Sequence, residues 1–317
     1  MKKVSVLIPA YNEQDSLPLL YEKLTEVTDT LPQYEWEFLF VNDGSRDNTL
    51  NILRALRVSD KRVNYVDLAR NFGKEVAMLA GFDHVTGDCM IIMDADLQHP
   101  PTVIPDFLAK WEEGYEDVYA IRKTRGKESW LRKQFSLLFY RILQKTTRVD
   151  ILQNVGDFRL LDRKCIDMLR QMRECERYTK GMFCWIGGKK IGVEFEQADR
   201  VAGQSSWNFW SLFNLAIEGI TSFTTAPLRM ATYSGILIAI LAFIYLIYVV
   251  VKASIWGDPV AGFPSLMATI LFIGGIQLLF LGVIGEYLGR VFNETKHRPI
   301  YFVGSVNDEP YLPKREE

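Results

Sequence analysis

Residues 89–101 read CMIIMDADLQHPP: an apolar run, Cys89-Met90-Ile91-Ile92-Met93, closes on Asp94 and Asp96, and Gln98, Pro100 and Pro101 follow. A continuous apolar run of this length reads as a strand covered on both faces. Ending such a strand on two carboxylates puts them at one edge of a sheet. Strand alternation sets Asp94 and Asp96 on the same side, and Gln98 adds another oxygen two residues on. An Asp-x-Asp pair is also common in turns, so a turn reading and a metal reading stand together at this point. The two prolines are expected to stop the strand and to keep the chain from running on as helix.

Working outward, apolar runs alternate with amphipathic segments from residue 4 to about 123. The candidate strands are Val4–Ala10, Glu37–Asn42, Val63–Leu68, Cys89–Met93 and Asp117–Ile121; between them Ser16–Thr28, Asn48–Arg57 and Gly73–Val85 read as helices. This alternation predicts an α/β fold with a mostly parallel sheet covered on both faces. Ligands in such sheets bind beyond the carboxyl ends of the strands. Polar residues gather there: Tyr11-Asn12-Glu13 after the first strand, Asp43-Gly44-Ser45 after the second, and Asp94-Ala95-Asp96 after the fourth. No GxGxxG follows the first strand and no GxxxxGK[ST] occurs, which disfavours dinucleotide and P-loop chemistry.

The chain has 317 residues and a net charge of −2, so no polybasic signal points to nucleic acid. Its last third has a different character. Met230–Val251 is 22 residues without a charged side chain, and Pro259–Gly285 is another 27. A helix needs about 20 apolar residues to cross a bilayer core, so two transmembrane helices are expected, at about 230–251 and 263–287. Arg229 precedes the first, while Arg290, Lys296 and Arg298 follow the second; the connector 253–262 carries Asp258 alone. Lys and Arg collect on the cytoplasmic side, so the expected protein is multi-pass in the cell membrane, with both termini cytoplasmic. The expected units are a catalytic domain at 1–228, the hairpin at 229–290 and a tail at 291–317. Two amphipathic segments suit a bilayer interface: about 128–147, with Arg132, Lys133 and Arg141 off an apolar line, and about 206–222, with Trp210, Phe213, Ile217 and Ile220 along one face. The 4 cysteines form no CxxC pair and the 3 histidines have no zinc spacing.

Hard divalent cations take oxygen ligands, and Mg²⁺ commonly combines one or two carboxylates with substrate phosphates. Asp94, Asp96 and Gln98 therefore suit an ion bridging a diphosphate, as a sugar nucleotide would present. VLIPAYNE, VNDGS, RNFGKEVAMLAG, MDADLQHPP, GDFRLLDR and LGVIGEYLGRVFNE together resemble glycosyltransferase family 2. Within it the chain is similar to the polyprenyl-phosphate glycosyltransferases of the bactoprenol glucosyltransferase type, and more distantly to dolichyl-phosphate mannose synthases. The resemblance runs from about Val4 to Pro299. It implies a GT-A fold, a Mg²⁺ or Mn²⁺ ion, inverting transfer from a nucleotide sugar to a polyprenyl phosphate, and a homotetramer.

Position by position, the resemblance makes Pro9, Tyr11, Glu13 and Asp43 nucleoside contacts, with Asp43 accepting from a base N–H. It gives Asp94, Asp96 and Gln98 to the metal and diphosphate, and Arg200 to the donor diphosphate. Arg122, Arg132 and Ser136 become acceptor-phosphate contacts, and Asp157 and Asp96 the catalytic residues. Asp157 is the family's usual candidate base, yet a phosphate monoester is mostly a dianion at pH 7 and has little proton to give, so a positioning role stands beside it. The family often has an acidic residue where His99 stands, and frequently lysine where Ser206 stands; the second departure shifts cationic work onto Arg200 or Lys180. The expected reaction moves a hexose, glucose from UDP-glucose, onto undecaprenyl phosphate for modification of a surface polymer. Another sugar on the same lipid, or a non-catalytic sugar-nucleotide-binding membrane partner, are the alternatives.

Overall fold

The computed structural model describes residues 1–123, 155–175, 177–196, 226–256 and 262–310. Five strands fall where the apolar runs place them: β1 Lys2–Ala10, β2 Tyr34–Asn42, β3 Val63–Leu68, β4 Cys89–Ile92 and β5 Asp117–Arg122. Helices α1 Leu17–Thr28, α2 Thr49–Ser59 and α3 Lys74–His84 link the first four. After the prolines comes α4 Ile104–Glu112, then β6 Val155–Asp162, α5 Arg163–Gln171, α6 Thr179–Trp185 and β7 Lys190–Phe195. Two long helices follow, α7 Ala226–Trp256 and α8 Phe263–Thr295, and the described chain ends in β8 Val303–Val306 and β9 Glu309–Pro310.

These strands form one sheet in the order β7-β5-β6-β4-β1-β2-β3-β8-β9. Its centre, β4-β1-β2-β3, is parallel, as expected. Beyond it the sheet is mixed: β6 runs antiparallel to both β4 and β5, β7 is parallel to β5, and β8 is antiparallel to β3. Strand alternation divides the interior into two cores. Val6, Ile8, Phe38, Phe40 and Ile91 face α1, α2 and α4, while Leu7, Leu39, Val41, Met90 and Ile92 face α3, α5 and α6. Every central strand thus buries both faces, which is why each reads as an unbroken apolar run.

The prolines act differently from expectation. Strand β4 has already ended at Ile92, and Pro101 opens a 3₁₀ turn, Pro101–Val103, that leads directly into α4. A proline lacks the N–H that the first helical turn leaves unpaired anyway, and its fixed φ suits that position. Pro101 therefore starts a helix instead of forbidding one.

Both expected membrane spans lie within long helices, α7 and α8. Among the described residues, Phe272–Thr295 is long and apolar enough to cross a membrane, and Ala231–Tyr245 is a shorter apolar run. Ile240, Leu241 and Phe243 on α7, and Leu278 and Leu281 on α8, are exposed, so no side chain among the described residues covers them. The segments 128–147 and 206–222 lie outside the described residues.

The expected tail is part of the catalytic sheet. β8 pairs along β3, and the turn after it is pinned by side chains. Asn307 Oδ1 accepts from the Tyr65 N–H at 2.9 Å, and Asp308 meets Arg54 Nε at 2.8 Å. Without β8, strand β3 would offer a row of unpaired backbone groups at a sheet edge.

Candidate active site

The carboxyl ends of β1, β2 and β4 lie side by side because these strands are parallel neighbours. The loop after β1 and the loop after β2 are laced together. Asn12 donates its N–H to Ser45 Oγ at 2.9 Å, its own Oδ1 accepts from the Arg46 N–H at 2.8 Å, and Glu13 N–H reaches Thr49 Oγ1 at 2.9 Å. Ser16 Oγ donates to the Glu13 carboxylate. Tyr11 is 41 % exposed at this rim and Pro9 is half-buried just below it. The nucleoside residues expected from the sequence are thus brought together.

Asp43 is buried, and both of its oxygens are engaged. Oδ1 accepts from the Phe72 N–H at 2.7 Å and Oδ2 from the Gly73 N–H at 2.9 Å. Burial raises its carboxyl above the ordinary range, against the pull of these two bonds. The neighbouring Gly44 has φ +63°, and a Cβ there would lie 2.4 Å from the Arg70 carbonyl carbon. Only glycine fits that approach. Asp43 and Gly44 together therefore clamp the 70–73 loop, and with it the first turn of α3.

The loop after β4 is tightly specified. Asp94, Asp96 and Gln98 are half-buried, alternating with buried Ala95, Leu97 and His99. Leu97 holds φ +63°, a left-handed conformation that costs a non-glycine residue about 1–3 kcal/mol. Two bonds stabilise the turn around it: the Gln98 N–H donates to Asp96 Oδ1 at 3.1 Å, and the Asp94 N–H donates to His99 Nδ1 at 3.0 Å. His99 also stacks on Phe158, with ring centroids 4.7 Å apart. Burial lowers the His99 imidazole, and Asp94 opposes this only in part. An Nδ1 that accepts a hydrogen bond belongs to the neutral ring, so the 3.9 Å approach of Nδ1 to Asp94 Oδ2 is not an ion pair. His99, where the family often has an acidic residue, therefore shapes the loop. His99→Leu is expected to lower unfolding free energy by about 1 kcal/mol through the lost acceptor and turnover by about tenfold through looser carboxylate placement; denaturation and steady-state rates measure both.

Strand β6 brings the next carboxylate. Its register with β4 pairs Ile92 with Arg159, so Asp94 continues past β4 toward Asp157. Between the two lies a residue to which the sequence reading assigned no role. Lys74 Nζ is 2.6 Å from Asp94 Oδ1 and 2.8 Å from Asp157 Oδ2. Burial lowers this ammonium, but Asp157 and Asp94 outweigh it and the net shift is upward, so Lys74 is charged. For Asp157 burial raises the carboxyl, and Lys74, Lys180 and Arg159 more than reverse this, holding it below the usual carboxylate range. A signal for Lys74 did exist. It is the first residue of α3, and a cation is disfavoured at a helix N-terminus unless carboxylates receive it.

The next residue, Glu75, accepts from the Thr179 N–H at 2.9 Å and from its hydroxyl, which ties α6 to α3 and holds Lys180 near Asp157. Arg122, at the end of β5, has Nη2 3.7 Å from where a Cβ on Gly156 would lie, on the face of β6 opposite to the Asp157 side chain. Arg132, Ser136 and Arg200 lie outside the described residues. Two clefts of about 570 and 790 Å³ sit at the opposite, amino-terminal ends of the strands, lined by Lys3, Tyr34 and Trp36 and by Lys2, Asp88 and Trp111; none of the rim carboxylates lines them.

The residues present fit a divalent ion. Asp94, Asp96 and Gln98 are hard oxygen donors in one short loop, and an ammonium already stands as a cation against Asp94. No three His, Cys, Asp or Glu side chains group for a metal among the described residues, so a substrate diphosphate or water would supply its other ligands.

Residues 5–169 match Glycosyl transferase family 2, and residues 226–291 match the GtrB C-terminal hairpin. A curated Synechocystis protein described as an uncharacterized glycosyltransferase is 44 % identical over 98 % of this chain and 98 % of its own length. The bactoprenol glucosyl transferase of Shigella phage SfV is 44 % identical over 95 % of this chain and 98 % of its own. Among solved structures, glucosyl-3-phosphoglycerate synthase from Mycobacterium tuberculosis, in complex with Mn²⁺, UDP-glucose and phosphoglyceric acid, aligns at TM-score 0.47 and 17 % identity, covering 69 % of this chain and 78 % of that one. With a family match over β1 to β6 and a hairpin match across α7 and α8, the chain belongs to glycosyltransferase family 2 and is a glycosyltransferase of GT-A fold.

Proposed function

We propose that this glycosyltransferase moves a hexose, glucose from UDP-glucose, onto undecaprenyl phosphate at the cytoplasmic face of the cell membrane, inverting the anomeric centre in one displacement. The observation that carries the reading is the pairing of a three-oxygen rim with a returning hairpin. The rim, Asp94, Asp96 and Gln98, suits a diphosphate-bound ion. The hairpin leaves the catalytic domain at α7, and the chain after α8 re-enters the same sheet as β8. Both ends of the hairpin are therefore on the same side of any bilayer it enters, which supports two crossings, and the Lys and Arg that flank those ends favour the cytoplasmic side.

Asp94, Asp96 and Gln98 would hold Mg²⁺ or Mn²⁺, which when bound supplies charge neutralisation for the departing diphosphate. The chain's own residues supply position. The laced loops with Tyr11 and Glu13 form the nucleoside side of the rim, and Asp43 fixes the loop that floors it. Arg122, at the end of β5, is proposed as the cation that receives the acceptor phosphate dianion, and Arg132, Ser136 and Arg200 are proposed to complete the two phosphate sites. Holding the phosphate oxygen in line with the anomeric carbon is chiefly a matter of orientation. The assembly implied by the resemblance is a homotetramer.

The test is transfer by the purified chain with undecaprenyl phosphate, Mn²⁺ and a panel of labelled nucleotide sugars. Label from UDP-glucose is expected in the lipid, lost on chelation and restored by Mn²⁺. Label from another donor removes glucose from the proposal, and label from none removes the lipid acceptor.

A further inference from the structure

Lys74 is held in place before any substrate arrives. The Asp43 carboxylate anchors the two preceding backbone N–H groups, at 2.7 and 2.9 Å, and Glu75 ties the following residue to Thr179. The ammonium lies between Asp94 at 2.6 Å and Asp157 at 2.8 Å. Asp94 is the first carboxylate of the proposed metal set, and Asp157 is not in that set. One carboxylate bridged this closely by an ammonium cannot also take a divalent ion at full strength, because the two cations repel across a few ångströms. The Lys74 side chain is nonetheless 42 % exposed, so its long stem has room to move.

We propose that Lys74 is an exchangeable counter-cation: it neutralises Asp94 in the metal-free enzyme and yields Asp94, while keeping Asp157, when the divalent ion binds. This rests on the reading of Asp94, Asp96 and Gln98 as metal ligands. The exchange keeps the rim from holding uncompensated carboxylates when empty, and it leaves Lys74 to Asp157 alone once the ion is bound. Lys74 is in this sense a positioning residue for Asp157 and a competitor for the ion.

The experiment measures Mn²⁺ affinity of the full chain, by the spectroscopic signal of free Mn²⁺, with and without UDP. Wild type is compared with Lys74→Met and Lys74→Gln. Without UDP, both neutral variants are expected to bind Mn²⁺ about tenfold more tightly than wild type, a factor equivalent to about 1.4 kcal/mol. Damage to the fold would weaken binding, so a gain separates competition from a structural role, and the second variant covers the case in which the first does not fold. Wild type that binds Mn²⁺ with UDP, while neither variant binds more tightly without it, overturns the exchange alone. No Mn²⁺ binding by wild type even with UDP overturns the metal reading and the exchange with it.

Discussion

Exchanging Asp157 for asparagine is expected to lower turnover by about 10²–10³-fold, the usual effect of removing one preorganised electrostatic partner, with cooperative unfolding retained. The side chain is buried in β6, with Oδ2 on Lys74 at 2.8 Å. Its Oδ1 has no hydrogen-bond partner among the described residues, an uncommon state for a buried acceptor and one that leaves it available to a ligand. Burial pushes its carboxyl up, but Lys74, Lys180 and Arg159 push it further down. The group is therefore ionised wherever the enzyme works, and it has little affinity for a proton. A phosphate monoester with its second pKa near 6 brings almost none to pH 7. The role we propose for Asp157 is therefore charge and position, not proton abstraction.

The pH dependence separates these roles. The acid limb of the rate is expected near pH 6, from protonation of the acceptor phosphate, in wild type and Asp157→Asn alike. Loss of that limb in the variant would restore Asp157 as the base, and undiminished turnover would remove it from the mechanism. Stability follows the other direction of the same linkage. With its folded pKa depressed, Asp157 contributes stability that is fully present above about pH 4 and is lost as pH falls through the folded value. Acid unfolding of Asp157→Asn should accordingly be shallower below about pH 4 than that of wild type.

What the sequence discloses and what it hides have physical causes. Strands β1 to β5 were legible because both faces of each central strand are covered, so their apolar runs are unbroken. The rim was legible because polar residues must begin where those runs end. Strand β6 was hidden because Asp157 and Arg159 interrupt its apolar pattern, and the partners that permit them there, Lys74 and Asp117, are 83 and 42 residues away. The Asp43 clamp was hidden for another reason: its partners are the backbone N–H groups of Phe72 and Gly73, which carry no side-chain signature. The tail strand β8 is 4 residues long, and its pairing with β3 depends on a hairpin returning to the right edge. Long-range electrostatics and edge closure were the illegible parts, and the ion pairs of Lys74 with Asp94 and Asp157 are what they concealed at the rim.

Replacing Asp117 with alanine is expected to destabilise the catalytic domain by about 3–5 kcal/mol, because it strands a buried guanidinium. Asp117 is fully buried and the Arg159 side chain is 3 % exposed; Nη1 meets the two carboxylate oxygens at 3.3 and 3.1 Å. Arg159 also donates from Nη2 to the Gly156 carbonyl at 3.2 Å and lies 3.8 Å over the Phe183 ring, so it has no route to water when its partner is removed. Lys190 Nζ, 3.7 Å from Asp117, adds a second cation that the alanine leaves uncompensated. A double variant, Asp117→Leu with Arg159→Met, removes the buried ion pair together and is expected to recover most of the loss, as denaturant unfolding would report. Equal loss in the single and double variants would mean that packing at this spot, not the stranded charge, sets the penalty. The double variant also tests the site. Arg159 lies two residues from Asp157 on the same face of β6 and is one of the cations holding that carboxylate ionised. A chain restored in stability but still slow would show that this pair, deep under the rim, tunes Asp157 as well as supporting the sheet.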